Sequence, residues 1–136
     1  YCWAMTLDQL QNGGELAHRM GLEVLEVRTG RVVARLPVEG NTQPYGLLHG
    51  GASAVLAEHI GSIAAALHAG ADNMVTGIEL SCTHHRAVTQ GHVTGVATPL
   101  HEGRTLAGYD IRITDDDGRA VCTARLTCLI RPTRST

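Results

Sequence analysis

The spacing of apolar residues along this chain changes several times, and each change marks an element. Thr6 followed by Gln9 has the form of a capping box, with Leu7 and Leu10 on one helical face. Asn12-Gly13-Gly14 interrupts that helix, and a second short one runs from Glu15 to Met20 with Gly21 as its cap. Leu22 to Arg28 has strand character, Thr29-Gly30 turns the chain, and Arg31 to Val38 alternates cleanly. Val32, Ala34, Leu36 and Val38 share one face of that strand. A loop from Glu39 to Leu48 leads into a stretch from about His49 to Ala69 that is apolar or small nearly all round. Such a helix is buried on most of its sides. At 1.5 Å per residue it is about 30 Å long, the width of a sheet.

Four further strands follow. Val75 to Arg86 places Ile78, Leu80 and Cys82 on one face, and Gly91 to Thr98 is stopped by Pro99. After a Leu100–Gly103 turn, Thr105 to Thr114 turns Ala107, Tyr109, Ile111 and Ile113 inward. Asp115-Asp116-Asp117-Gly118 makes a turn. Arg119 to Ile130 then alternates best of all, with Ala120, Cys122, Ala124, Leu126, Cys128 and Ile130 on one side. The expected order is helix, two strands, one long helix and a four-stranded meander. This is an α+β fold, an antiparallel sheet wrapped around one long central helix. The 136 residues, 1–136, are read as one domain. Residues 1–5 precede the patterned part. Met5 is either the native start after a few foreign residues or part of a longer N-terminus.

Composition narrows the function. The formal net charge is −2, which leaves no footprint for nucleic acid, and all 11 basic residues are arginine. The four cysteines form neither a CxxC pair nor a zinc-type spacing, and the three within strands read as small buried thiols. His84 and His85 are neighbours on a strand and point to opposite faces, so they make no metal pair. The acidic turn lacks the helix flanks of an EF-hand. No metal is expected. No secretory or transit signal and no membrane-spanning run is read, so a soluble cytoplasmic protein with no membrane partner is expected.

The candidate chemistry lies between Gln43 and Ser62, QPYGLLHGGASAVLAEHIGS. His49, Gly50 and Gly51 open the long helix, whose N-terminus carries partial positive charge and free N–H groups. A carbonyl oxygen gaining negative charge is stabilised there. Glu58 is a carboxylate in an otherwise apolar helix, and Ser62 shares its face at i, i+4. Gly50 and Glu58 are eight residues apart, about 12 Å of rise. If both act on one carbonyl, Glu58 must come from a second subunit. A homodimer with two symmetric sites follows.

Gln43, GLLHGG at 46–51, Glu58 and Ser62 form a specific set, joined by GIEL at 77–80, HHRA at 84–87, TPLHEGR at 98–104 and DGRAVCTARLT at 117–127. From about residue 13 to 131 the chain resembles the hotdog-fold acyl-CoA thioesterases. It is most similar to the branch with Arthrobacter-type 4-hydroxybenzoyl-CoA, 1,4-dihydroxy-2-naphthoyl-CoA and aryl-carrier-protein thioesterases. The related phenylacetyl-CoA branch usually has Asp where this chain has Glu58, which points to the hydroxyaryl group. The resemblance implies that the Gly50 N–H polarises the thioester carbonyl and that Glu58 is nucleophile or general base. Gln43 and His49 then line the site, and Ser62 holds water or the Glu. Arg86, Ala87, His101, Gly103, Arg104 and Arg125 match residues that hold coenzyme A. The implied activity is hydrolysis of an aromatic acyl-CoA, or a carrier-protein thioester, to free acid and thiol. No cofactor is needed, and dimers pair into a homotetramer. The competing readings are a hotdog-fold hydratase or dehydratase and a non-catalytic acyl-CoA binding protein.

Overall fold

The computed structural model describes residues 6–133. The capping box is formed: the Thr6 hydroxyl accepts from the Gln9 N–H at 3.2 Å, and the Gln9 side chain accepts from the Thr6 N–H at 3.0 Å. It starts α1 (Leu7–Asn12), and α2 (Gly14–Met20) follows after Gly13. Then come β1 (Glu23–Arg28), β2 (Arg31–Pro37), α3 (Gly50–Ala69), β3 (Asn73–His84), β4 (His92–Glu102), β5 (Leu106–Asp115) and β6 (Ala120–Pro132). The six strands form an antiparallel sheet in the order β1-β2-β4-β5-β6-β3, and α3 packs against one face of it. This is the expected α+β hotdog architecture.

The expected four-strand meander is corrected to three. β4, β5 and β6 run consecutively, but β3 crosses to pair with β6 at the sheet's edge, and β2 takes the place beside β4. Alternation tells which face a residue takes but not which strand lies beside it.

Three local expectations fail at β-bulges, each of which inserts one residue and resets the alternation. Ile78 is the extra residue between Gly77 and Glu79 and is 54% exposed, while Leu80 and Cys82 pack on the core. Pro99 does not stop β4: the strand continues to Glu102, with Leu100 as the extra residue between Pro99 and His101. A central strand accepts a proline at such a bulge because one ladder bond is already lost there. Val121 is the third extra residue. It is buried, and Ala120 is left exposed rather than inward.

The core is otherwise as the pattern predicts. Val32, Ala34, Leu36 and Val38 are buried, as are Ala107, Tyr109, Ile111, Ile113 and the inward residues of β6 from Cys122 to Ile130. Leu56, Ala57, Ile60 and Ile63 of α3 meet them. Small residues let the helix approach closely: a Cβ at Gly61 would stand 2.6 Å from Leu126 Cδ2, and one at Gly95 would stand 3.0 Å from Ile60 Cδ1. By length and composition alone α3 is apolar enough to cross a membrane, contrary to the sequence reading, but half of it is buried within the protein. Cys122 and Cys128 are buried free thiols, and Cys82 is half-buried. Cys2 and the Leu7 side chain lie outside the described part.

Candidate active site

The loop before α3 is pinned from both sides. Asn41 Nδ2 donates to the carbonyls of Met20 and Pro37, each at 2.8 Å, and the Asn41 carbonyl accepts from the His49 N–H at 2.9 Å. The Leu48 N–H donates to Val88 at 2.8 Å. Gly46, at φ 79°, closes a tight turn onto the Gln43 carbonyl. The start of α3 is thereby fixed against β2 and the segment after β3.

His49 is the N-cap. Its backbone is extended, and its Nδ1 accepts from the Gly51 N–H at 2.8 Å. The Ala52 N–H donates to the His49 carbonyl at 2.9 Å. The Gly50 N–H has no acceptor among the described residues. It borders a cavity of about 400 Å³ lined by Gln43, Gly50, Ser53, His84, Arg86 and Ala87. The Gln43 side-chain oxygen is held by the Tyr45 N–H, leaving its amide nitrogen uncommitted. An unbonded N–H at the positive end of a 20-residue helix is suited to an oxyanion.

Sequence reasoning missed His84 here. Its ring lies over the helix start, with Nε2 3.0 Å from where a Gly50 Cβ would stand. The signal was present: period two from Leu80 and Cys82 puts His84 on the helix side. From the sequence the pair reads as neighbours on opposite faces and as part of the HHRA segment of the resemblance, with no role at the helix start. His85 turns elsewhere, onto Thr123 Oγ1 at 2.7 Å.

Glu58 occupies a second place, farther along the same helix. It is exposed and makes no ion pair among the described residues. Its carboxylate lies over Gly77 of β3, with Oε1 2.5 Å from where a Cβ would be. The negative charge is felt by its neighbours. The Cys128 thiol is pushed up to about 11, first by burial and then by Glu58. Burial first, and Glu58 in part, also raise Cys82. Ser62, one turn on from Glu58, lines a larger cavity of about 680 Å³ between α3, the start of β3 and the α1–α2 junction. α3 is uninterrupted from Gly50 to Ala69, so about 12 Å of helix separates the free N–H from the carboxylate. Gln43, His49 and Gly50 form one group; Glu58 and Ser62 form another. β3, which carries Gly77, is an edge strand of 12 residues.

The six residues matched to coenzyme A binding do not meet in one chain. Arg86 and Ala87 line the cavity at Gly50. His101, Gly103 and Arg104 lie at the β4–β5 turn, at the other end of α3, where His68 Nε2 contacts the Gly103 carbonyl at 2.8 Å. Arg125 is exposed in mid-β6, paired in register with Ser81 and Asp110.

The model of the family described as Thioesterase superfamily matches residues 45–122, the stretch from Tyr45 through α3 to the start of β6. The chain belongs to the thioesterase superfamily. Among relatives of this thioesterase, the proofreading thioesterase EntH of Cronobacter turicensis is 45% identical over 129 residues, covering 93% of this chain and 94% of that protein. EntH of Cronobacter sakazakii is 44% identical over the same shares. A thioesterase structure from Haemophilus influenzae superposes with a TM-score of 0.87 at 32% identity, covering 97% of this chain and 96% of the other. A mutant thioesterase from Pseudomonas aeruginosa gives 0.88 at 37% identity, covering 98% and 100%. The thioesterase is thus a thioester hydrolase with a hotdog fold.

Proposed function

We propose that this thioesterase hydrolyses aromatic, hydroxyaryl acyl thioesters of coenzyme A or of a carrier protein at a site shared by two subunits. The observation that carries the reading is the division of α3: a Gly50 N–H and a Glu58 carboxylate, both without a partner among the described residues, about 12 Å apart on one helix. Two copies packed with antiparallel helices place the Gly50 of one against the Glu58 of the other, twice. The unpaired edge of β3 supports joining the sheets at the same contact.

The thioester oxygen then sits at the Gly50 N–H, where the helix terminus stabilises the tetrahedral oxyanion. Either Glu58 of the other subunit attacks the carbonyl, the thiolate leaves and water hydrolyses the resulting anhydride, or Glu58 takes a proton from a water that itself attacks the carbonyl, and the thiolate leaves as the tetrahedral oxyanion collapses to the free acid. Gln43 and His84 flank the carbonyl, His49 holds the helix start, and Ser62 holds the water or the carboxylate. Arg86 and Ala87 receive the coenzyme A moiety near Gly50. His101, Gly103, Arg104 and Arg125 reach it from other subunits of a homotetramer. Two structures of a Staphylococcus aureus protein of the same fold carry a glutamate-to-alanine and a glutamine-to-alanine change fifteen residues apart, the separation of Gln43 and Glu58. The names of the two Cronobacter relatives support a proofreading task, removal of wrong acyl groups.

The test is thiol release from a panel of aryl and aliphatic acyl-CoA esters. Glu58→Ala is expected to lower kcat by at least about 10²-fold, in the range of a lost general base, while remaining folded. Hybrid dimers separate one-chain from two-chain sites. Glu58→Ala mixed in equal amount with an inactive Gly50→Val is expected to recover about one quarter of wild-type activity, since half the dimers carry one intact site. No recovery after verified subunit exchange refutes the shared site. Equal activity in Glu58→Ala refutes the role of Glu58.

A further inference from the structure

His59, next to Glu58, has no place in the chemistry above. Its Nε2 is buried and finds no hydrogen-bond partner among the described residues. A buried polar atom without a partner costs roughly 1–3 kcal/mol in general, so its position calls for a cause. The ring edge abuts Gly13: a Cβ there would stand 3.0 Å from both Cε1 and Nε2 of His59 and 2.9 Å from Ala17 Cβ. Gly13 ends α1 and starts α2, and both Gly13 and Gly14 have left-handed backbones, φ 70° and 75°. This is a joint that an ordinary residue would strain.

The two helices are held unequally. α2 is anchored by buried Ala17, by the Leu22 N–H on the Ala17 carbonyl at 2.9 Å, and by Asn41 on Met20. Asp8, Gln9, Gln11 and Asn12 of α1 are exposed, and Leu10 packs against the core. Gln9, Leu10, Gly13 and Gly14 form one wall of the 680 Å³ cavity, opposite Ser62, Met74 and Val75.

We infer that α1 is a hinged cover over the acyl cavity and that His59, seated under Gly13, is its latch. The inference rests on the reading of Glu58 and Ser62 as site residues, which makes this cavity the place of the acyl group. The neutral ring fits under the joint, and a charged ring is disfavoured there, because its buried Nε2 finds no acceptor among the described residues. Burial alone pushes the His59 pKa down. The charged and titratable groups on the helices around it are Asp8 on α1, Glu15, His18 and Arg19 on α2, and Glu58 and His68 on α3. All are exposed except the half-buried His68, and none bonds to the ring Nε2. The closed cover is therefore fully favoured above the ordinary histidine pKa. It loosens as pH falls from there toward the depressed value, since the open state takes up the proton first.

The experiment uses the full chain. The His59 Cε1–H resonance is titrated by NMR, and KM and kcat for an aryl-CoA are measured between about pH 5 and 8. His59 is expected to titrate below the ordinary range, with KM rising about tenfold on the acid side as one apolar wall is lost. kcat is expected to change less than KM over the same range. In Gly13→Val the ring is expected to titrate near its ordinary value, with KM raised already at neutral pH. In His59→Leu the acid rise in KM disappears. An ordinary His59 pKa in the wild type, or a KM profile unchanged in His59→Leu, overturns the latch. If Gly13→Val does not fold, these two readouts decide alone. The NMR titration needs no turnover, so it reads the latch even where the acyl assignment of the cavity fails.

Discussion

Gly77→Ala tests the role of Glu58 without touching it. The new methyl would stand 2.5 Å from Glu58 Oε1, whereas ordinary contact begins at 3.4 Å, so the carboxylate oxygen must retreat by about 0.9 Å. The other neighbour, Leu126 Cδ1, is already at 3.4 Å and need not move. Gly77 has no left-handed backbone to strain, and an alanine in a strand is favoured over glycine by about 0.5–1 kcal/mol. Stability should therefore hold or rise slightly. Displacing a reacting group by about 1 Å costs on the order of 10²-fold in rate. The expected result is an unchanged or higher Tm by calorimetry together with a kcat for thiol release reduced about 10–10²-fold. A folded Gly77→Ala enzyme with wild-type kcat would refute the reasoning, because the position of the carboxylate would then not matter to the chemistry.

Two further predictions concern ionisation. The buried Cys128 thiol, with its pKa near 11, is expected to react with iodoacetamide at pH 8 far more slowly in the native protein than in urea, by peptide mapping; equal rates would contradict its burial beside Glu58. Asp115 accepts from the backbone N–H of Asp117 and Arg119 and from the Arg119 side chain, and these bonds, led by the Arg119 N–H, hold its carboxyl below the ordinary aspartate value. Its contribution is present above that value and is lost as pH falls through the lowered one. Asp115→Asn should lower Tm at neutral pH and flatten the acid limb of the Tm–pH curve. An unchanged acid limb would place the acid sensitivity elsewhere.

Much of the architecture was legible because the sheet has one buried face. In β2 and β5 an unbroken period of two names every inward residue, and α3 declares itself by being apolar all round while remaining small enough to lie close to strands. The candidate site was legible for the same local reason: a helix start, a carboxylate on its apolar length, and the rise between them are properties of one continuous element. The failures are equally physical. The bulges at Ile78, Leu100 and Val121 shift the alternation by one, and nothing in the residue types at those places announces it. Pro99 reads as a stop because a ladder bond is normally needed there, and only the bulge removes that need.

What the sequence by itself determined is the set of elements, their buried faces away from the bulges and the separation of Gly50 from Glu58, because each follows from short-range geometry. The tertiary structure alone decided that β3 pairs with β6, that His84 covers the start of α3, and that the Glu58 carboxylate rests on Gly77. It also alone decided that His59 lies beneath Gly13. These are contacts between residues distant in the chain, and they depend on which strands become neighbours, a choice made by packing the whole sheet around one helix.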